Sequence, residues 1–452
     1  MVEKINRLIK RALWTVLFVG CLCQPAKAAD LQLISDAETQ NYLAKIIRPL
    51  FKAAGVAFDE NRIFIINDNS LNAFVSDGNY VFVHTGTLMA ADNTNELSGI
   101  LAHETGHILG GHIVRQKLKL EKMQYVMLGS MLLAGATAVS TGRGDAAMAI
   151  LLGSQSSAIS HLMHYQVQEE RSADESAVKL LNKTHQSTVG LLHFMNKIKT
   201  NNALSGIDEN LYFRTHPMTA ERIAHFVEVS KSNHYPETNP LDDELALVKA
   251  KLTAFLEDKK KAERLYPQNQ NSAPARYAHS IMAFKEGNVN RALQEINILL
   301  AQQPKNPYFY EMKGQFLFES GRVKESIAPY ETALKLLNNN PLLEISLAQS
   351  LLESSAAKED LQRSITLLQK ALVKSDISFA WQLLARAYEM NGEKAASYYA
   401  AAEFNYAMDN PEMAKKHLER AEKSSPNKTL ALKISDLKQK IESDLQEKNG
   451  SF

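Results

Sequence analysis

Between residues 245 and 428 the chain repeats itself, and a repeat narrows the choice of fold sharply. Gly287 and Gly321 stand 34 residues apart, each in a polar turn between two helical patterns (Lys285-Glu286-Gly287-Asn288 and Glu319-Ser320-Gly321-Arg322). Pro304, Pro341 and Pro426 stand where helical patterns end. A unit of this length is a helical hairpin that cannot bury its apolar face alone, so neighbouring units must stack into a continuous core. About four such units, with extra helices, fit between 245 and 428, with an insertion around Ser355 to Asp360. The competing architecture for the same pattern is an irregular helical bundle.

Trp381, Leu384, Ala385 and Tyr388 resemble the W-x2-L-[GA]-x2-Y signature of a tetratricopeptide helix, and Ala402, Ala414, Leu418, Ala421 and Pro426 continue the pattern. Stacks of this kind present a concave surface suited to extended peptides or partner proteins. They carry no chemistry of their own. Any catalysis therefore belongs upstream, and 452 residues are too many for one core. With 51 basic and 50 acidic side chains there is no global charge to draw the chain to nucleic acid.

The first thirty residues read as an export signal. Lys4, Arg7, Lys10 and Arg11 form a basic start, Ala12 to Cys23 is apolar apart from Thr15 and Gly20, and Ala26-Lys27-Ala28 offers a small-x-small cut. The apolar run is shorter than the roughly 20 residues a spanning helix needs. A rival reading takes Phe18-Val19-Gly20-Cys21 as a lipid-attachment site, but that pattern usually places Leu three residues before the cysteine. Both cysteines, Cys21 and Cys23, fall in this segment, as do five basic groups and one acid. A cut after Ala28 leaves a cysteine-free chain of formal charge −3, that is +1 less +4. Such a chain has no disulfide framework, and any metal must be held by His, Asp or Glu.

His103-Glu104-Thr105-Gly106-His107 is that kind of metal motif, H-E-x-x-H within a helical pattern. The two histidines are i and i+4, so both imidazoles leave one face and can share a zinc ion, with Glu104 beside them to take a proton from an attacking water. A third ligand at position 113, as H-E-x-x-H-x-x-G-x-x-H requires, is excluded because that residue is Ile113. The nearby His112 is five residues past His107, which places it elsewhere on a continuous helix. Gln168-Glu169-Glu170-Arg171-Ser172-Ala173-Asp174 is the better candidate. Glu170 can complete a His-His-Glu site, and Asp174, one turn on, can accept the other ring N–H of a ligand histidine. The competing reading of this segment is a solvated acidic face.

H-E-x-G-H followed some sixty residues later by E-x-x-A-D resembles the HtpX-type and CAAX-prenyl-protease-type gluzincin metallopeptidases. Asn72-Ala73-Phe74 through Gly78, Val81, Val83, Thr85 and Gly86 resembles the family's N-A-F strand, and Thr215-His216-Pro217 with Glu221-Arg222-Ile223 its H-P-x-x-x-x-R-I segment. The resemblance runs from about residue 60 to 225. It implies a zincin-like fold with a small β-sheet, one Zn2+ per chain and endopeptidase activity. Together with the export signal and the repeats, it implies the periplasmic branch of the family that serves outer-membrane β-barrel assembly. Partners would then be unfolded or misassembled outer-membrane proteins and the β-barrel assembly machinery, engaged through the repeats, with no nucleic acid and only peripheral membrane contact. The alternative is a chaperone-like scaffold whose repeat surface is the main activity.

The expected organisation is a signal at 1–28, a zinc metallopeptidase domain at 29–235 and a tetratricopeptide-repeat domain at 241–446, mainly α in class. A breaker-rich linker, Ser232-Asn233-His234-Tyr235-Pro236-Glu237-Thr238-Asn239-Pro240, separates the last two. Tyr80 to Thr85 reads as a strand, either an edge that adds a substrate backbone or an ordinary hairpin arm. The family position of His216 places it near the metal, to steady an oxyanion or to fill the open metal position in a latent state. Arg222 either orients substrate or pairs with a carboxylate. His161 and His164 read as surface or lid positions. Met127 to Leu152 reads as a lid over the cleft or as a buried helix pair, each arm being too short to span a membrane.

Overall fold

The computed structural model describes residues 32–116, 118, 166–205, 216–217, 219–354, 357–375 and 377–450. The export signal, the apolar stretch 127–152, His161 and His164 lie outside the described residues. Among those that are described, no helix is long and apolar enough to cross a membrane. Residues Ile34–Phe452 form one compact unit.

The first part of this unit begins with strand β1 (Leu33–Ile34) and helix α1 (Ala37–Ala54). Asp36 caps α1 by accepting from the Thr39 amide at 2.8 Å, and Gly55, at φ 71°, ends it. Leu43, Ile46, Ile47, Leu50 and Phe51 recur at helical spacing and are buried. Strands β2 (Ile63–Ile66), β3 (Ala73–Ser76) and β4 (Tyr80–His84) follow, and the sheet order is β1-β2-β4-β3. Side chains alternate across it. Ile63, Ile65, Ala73, Val81 and Val83 enter the core, while Phe64, Phe82 and Phe74 stack on the other face at 5.2 and 4.8 Å between ring centres.

Two sequence expectations change here. Tyr80–His84 is not an edge strand: Ile63-Phe64-Ile65-Ile66 pairs with it in parallel on one side and Ala73–Ser76 antiparallel on the other. The edge next to it is therefore β3, the strand packed against the motif helix. Thr85 leaves the strand and opens a short helix, α2 (Thr85–Ala90), with Thr85 Oγ1 donating to the Asp68 carbonyl at 3.0 Å. Helices α3 (Thr94–Leu109), α4 (residues 166–183), α5 (Val189–Ser205) and α6 (Ala220–Lys231) complete this region.

The remainder is helical. Helix α7 (Asp242–Leu256) and the short α8 (Lys259–Leu265) lead into five successive helix pairs. These are α9 (Ala273–Lys285) with α10 (Val289–Gln302), α11 (Pro307–Glu319) with α12 (Val323–Leu336), and α13 (Pro341–Ser354) with α14 (Lys358–Lys374). The last two are α15 (Ser378–Met390) with α16 (Lys394–Ala407), and α17 (Pro411–Lys423) with α18 (Lys428–Gly450). Gly287, Gly321 and Gly392 turn three of these pairs at φ 78°, 81° and 82°, in the left-handed region that other residues avoid. Gly314 serves packing instead. A Cβ there would lie 2.9 Å from the Tyr330 ring, so its absence lets α11 and α12 close together. Pro341 does not end a helix but starts α13, where a missing N–H costs nothing.

Helix α7 serves both parts. Leu245, Val248 and Leu252 are buried in one cluster with Leu43, Ile47, Leu97 and Ile100. Leu247, Ala250 and Ala254 are buried in another with Tyr277, Ile281 and Phe309. Between these faces Lys251, only 5% exposed, pairs with Asp36 and stands 3.5 Å from Glu38 and 3.9 Å from Glu311. Tyr277 also donates to Glu38 at 2.9 Å. Burial opposes ionisation of all three acids, but the Lys251 ammonium holds Asp36 below the ordinary carboxylate range. Glu38 and Glu311 are pushed up to about 7 by that burial.

Candidate metal centre

Helix α3 carries the H-E-x-x-H residues. Asn93 caps it, accepting from the Glu96 amide at 3.1 Å. Every residue from Thr94 to His107 is buried, so this is a central helix. Its glycines set how closely its neighbours approach. A Cβ on Gly106 would stand 2.6 Å from the Ala173 carbonyl oxygen, and one on Gly99 would stand 2.7 Å from Leu191. Gly106 thus lets α4 come near enough for Glu170 and Asp174 to reach the histidines. The motif spacing leaves that position free, and only the packing reveals its use.

Four side chains converge. His103 Nε2 lies 3.1 Å from His107 Nε2 and 3.4 Å from His216 Nδ1. Glu170 places Oε2 3.3 Å from His103 Nε2, and Oε1 3.3 Å from His107 Nε2 and 2.9 Å from His216 Nδ1. His103, His107, Glu170 and His216 each offer one ligand atom, all within 4.8 Å of one another. Four donors at 2.0–2.1 Å from a tetrahedral zinc ion stand about 3.3 Å apart, so this donor set has the size and chemistry of a zinc site. The loop bearing His216 is joined to α6, capped by Thr219, whose hydroxyl accepts from the Arg222 amide at 3.3 Å.

Around this set lies a second group of charges. Asp174 Oδ1 stands 2.9 Å from His103 Nδ1 as its ion-pair partner. Arg222, only 2% exposed, donates through Nε and Nη2 to Asp174 at 2.7 and 2.8 Å. Its Nη1 reaches Glu170 Oε2 and the Pro217 carbonyl, both at 2.8 Å. Of the two readings open for Arg222, the carboxylate pair is what the geometry holds. Glu104 sits 3.6 Å from His216 Nε2, and the Val75 amide of edge strand β3 donates to its carboxylate.

The electrostatics follow from burial and neighbours. Burial opposes ionisation of Glu170, but the facing His216, His103 and His107 outweigh it and hold the carboxyl far below its usual range. Burial pushes Glu104 up to about 7. Burial also lowers His107 and His216, keeping them in the neutral form a metal requires. His103 differs: burial lowers it, yet hydrogen bonds to Asp174 and Glu170 win and raise it to about 10. Metal uptake there must displace a proton from Nε2.

His112 also departs from the sequence expectation. Helix α3 breaks at Gly110 and Gly111, the latter at φ 61°, and the chain folds back. His112 is thereby returned to the site rather than carried round the helix, with Nδ1 2.9 Å from His107 Nδ1.

Comparison with known proteins gives the same region a context. Residues 37–230 match the sequence profile of Peptidase family M48. The Beta-barrel assembly-enhancing protease of Escherichia coli K12 is 24% identical over 395 residues, covering 83% of this chain and 77% of that protein. Metalloprotease YcaL of the same organism is 30% identical over 186 residues, covering 40% of this chain and 66% of that one. Among solved structures, a tetratricopeptide repeat protein from Parabacteroides merdae is 12% identical, covering 55% of this chain and 98% of that chain at a TM-score of 0.29.

Proposed function

Because residues 37–230 belong to peptidase family M48, we propose that this zinc metalloprotease is a periplasmic endopeptidase of outer-membrane protein quality control. Its substrates are misfolded or stalled β-barrel proteins, whose assembly it also assists. The reading divides the chain into a signal at 1–28, a peptidase region at 29–235 and a repeat region at 241–446. The repeats engage unfolded clients and the assembly machinery. Likeness to a Beta-barrel assembly-enhancing protease across both regions supports the client class.

The observation that carries the chemistry is Glu104 beside a convergent His-His-Glu set. His103, His107 and Glu170 hold the metal. Zinc there supplies Lewis acidity, polarising a scissile carbonyl and making water acidic near neutral pH. Glu104, with its carboxyl near 7, takes a proton from the attacking water and returns it to the leaving amine. Asp174 fixes the His103 tautomer, and Arg222 ties Asp174 and Glu170 together. Among the described residues β3 has no strand on its outer side, and that edge, beside Glu104, suits an extended client backbone.

His216 would add a fourth donor to the set, at the position a water or substrate would need. This supports a latent resting state in which His216 must swing away before cleavage. The second reading, a scaffold role in assembly, draws support from a repeat region that holds none of the catalytic residues. One variant separates the two. Glu104→Gln is expected to keep one zinc per chain and to lose about 10²–10⁴-fold in cleavage of an unfolded protein. Unchanged proteolysis defeats the enzymatic assignment, whereas restored envelope integrity without proteolysis assigns the essential work to the repeats.

A further inference from the structure

His107 would bind a metal through Nε2, the nitrogen that faces His103 and Glu170. An imidazole that ligates through one nitrogen carries its proton on the other, and a buried N–H needs an acceptor. For His103 that acceptor is Asp174. Among the described residues no carboxylate plays this part for His107. What stands at its Nδ1 is His112 Nδ1, at 2.9 Å, with the rings 4.9 Å apart and inclined at 77°.

The placement is built, not incidental. His112 is 3% exposed. It occupies the space beside Gly110, where a Cβ would fall 2.1 Å from its Nε2. Gly111, at φ 61°, supplies the reversal that turns the chain back after α3. Two adjacent glycines thus make room for one imidazole and aim it. H-E-x-x-H alone accounts for none of these three residues.

We propose that His112 is a positioning residue for the metal ligand His107, accepting its Nδ1 proton and so fixing its tautomer and ring plane. His112 then keeps its own proton on Nε2 and adds no charge beside the metal. The two ligand histidines are therefore supported differently, one by a carboxylate that raises its basicity and one by a neutral ring. The proposal rests on His107 being a zinc ligand.

The test uses the full chain, Zn2+ in competition with a chelator, and the absorption spectrum of the Co2+ form. His112→Phe keeps a ring but has no acceptor. His112→Asn places an amide oxygen where Nδ1 stood. The expected result is a loss of about 10–100-fold in Zn2+ affinity for the Phe variant, with a changed Co2+ spectrum and recovery of most of the affinity in the Asn variant. Wild-type affinity in His112→Phe overturns the proposal. Equal losses in both variants, each with a lowered melting temperature of the metal-free protein, overturn it in favour of simple packing. A wild-type chain that binds no Zn2+ overturns the ligand assignment beneath it, and that outcome is distinct because His112→Phe and wild type then behave alike.

Discussion

The metal-bearing region and the repeat region bury their side chains on opposite principles. Around the motif, His103, Glu104, Glu170, Asp174, His216 and Arg222 are all buried and stand within ion-pair distance of one another. In the repeats the interior is built from Ala, Leu, Ile and aromatic residues that recur in every pair, such as Ala292, Ile296, Ala333, Leu368 and Ala400. One interior depends on pairs that have no substitute. The other spreads its stability over many similar contacts, as stacked repeats do. Lys251, and Glu344 with its Lys370 partner at 2.6 Å, are places where the second region borrows the manner of the first.

Four substitutions break or sharpen this contrast. The largest effect belongs to Glu170→Ala, which removes the proposed third ligand and the partner of three imidazoles. Metal analysis of the purified chain is expected to find stoichiometric zinc lost and proteolysis abolished with it. Retained zinc would move the third ligand elsewhere. Next is Arg222→Met, which strands the buried Asp174 and Glu170 carboxylates. Breaking a buried pair costs about 3–5 kcal/mol, to be read from denaturant unfolding of the metal-free protein.

The Lys251 hub gives the third. Burial pushes the Glu38 and Glu311 carboxyls from 4.5 up to about 7, so between those values the folded chain binds more protons than the unfolded one. The contribution of these two groups to stability is therefore most favourable below about 4.5 and falls as pH rises through 7. Each group accounts for at most about 3 kcal/mol of that fall. Glu38→Gln is expected to flatten the profile in urea titrations run from pH 5 to 8, and an unchanged slope would refute the account. The smallest effect is Gly314→Ala, where the new methyl meets the Tyr330 ring. A loss of about 1–3 kcal/mol is expected, measured as a shift in melting temperature. No loss would mean that the repeats absorb crowding more readily than their packing implies.

Much of this was legible in the chain. The i, i+4 spacing of His103 and His107 fixes their common face, and the 34-residue interval between Gly287 and Gly321 fixes the hairpin period. Other features depend on approach between distant segments. Ile63–Ile66 is a short apolar run with no turn to announce its partner, so the interior place of Tyr80–His84 emerged only when the two paired in parallel. Gly106 is visible in the H-E-x-G-H motif, but its reason appears only when α4 is laid across it. His112 was misplaced because helical spacing assumes an unbroken helix, and Gly110-Gly111 breaks it. Pro341 looked like a stop because proline is equally at home after one helix and at the start of the next.

Past the breaker-rich linker, the two apolar clusters meet on one helix. Their seam runs lengthwise through α7, whose Leu245, Val248 and Leu252 belong to one core and whose Leu247, Ala250 and Ala254 belong to the other. Asp242, at the start of α7, accepts from the amide of Thr94, the first residue of the motif helix, at 2.8 Å. A scissors cut at residue 235 would therefore strip a wall from the peptidase, whereas one after Leu256 would leave that wall standing. By the same token, a foreign set of repeats could be grafted onto this enzyme only by someone who kept α7 as the host's own.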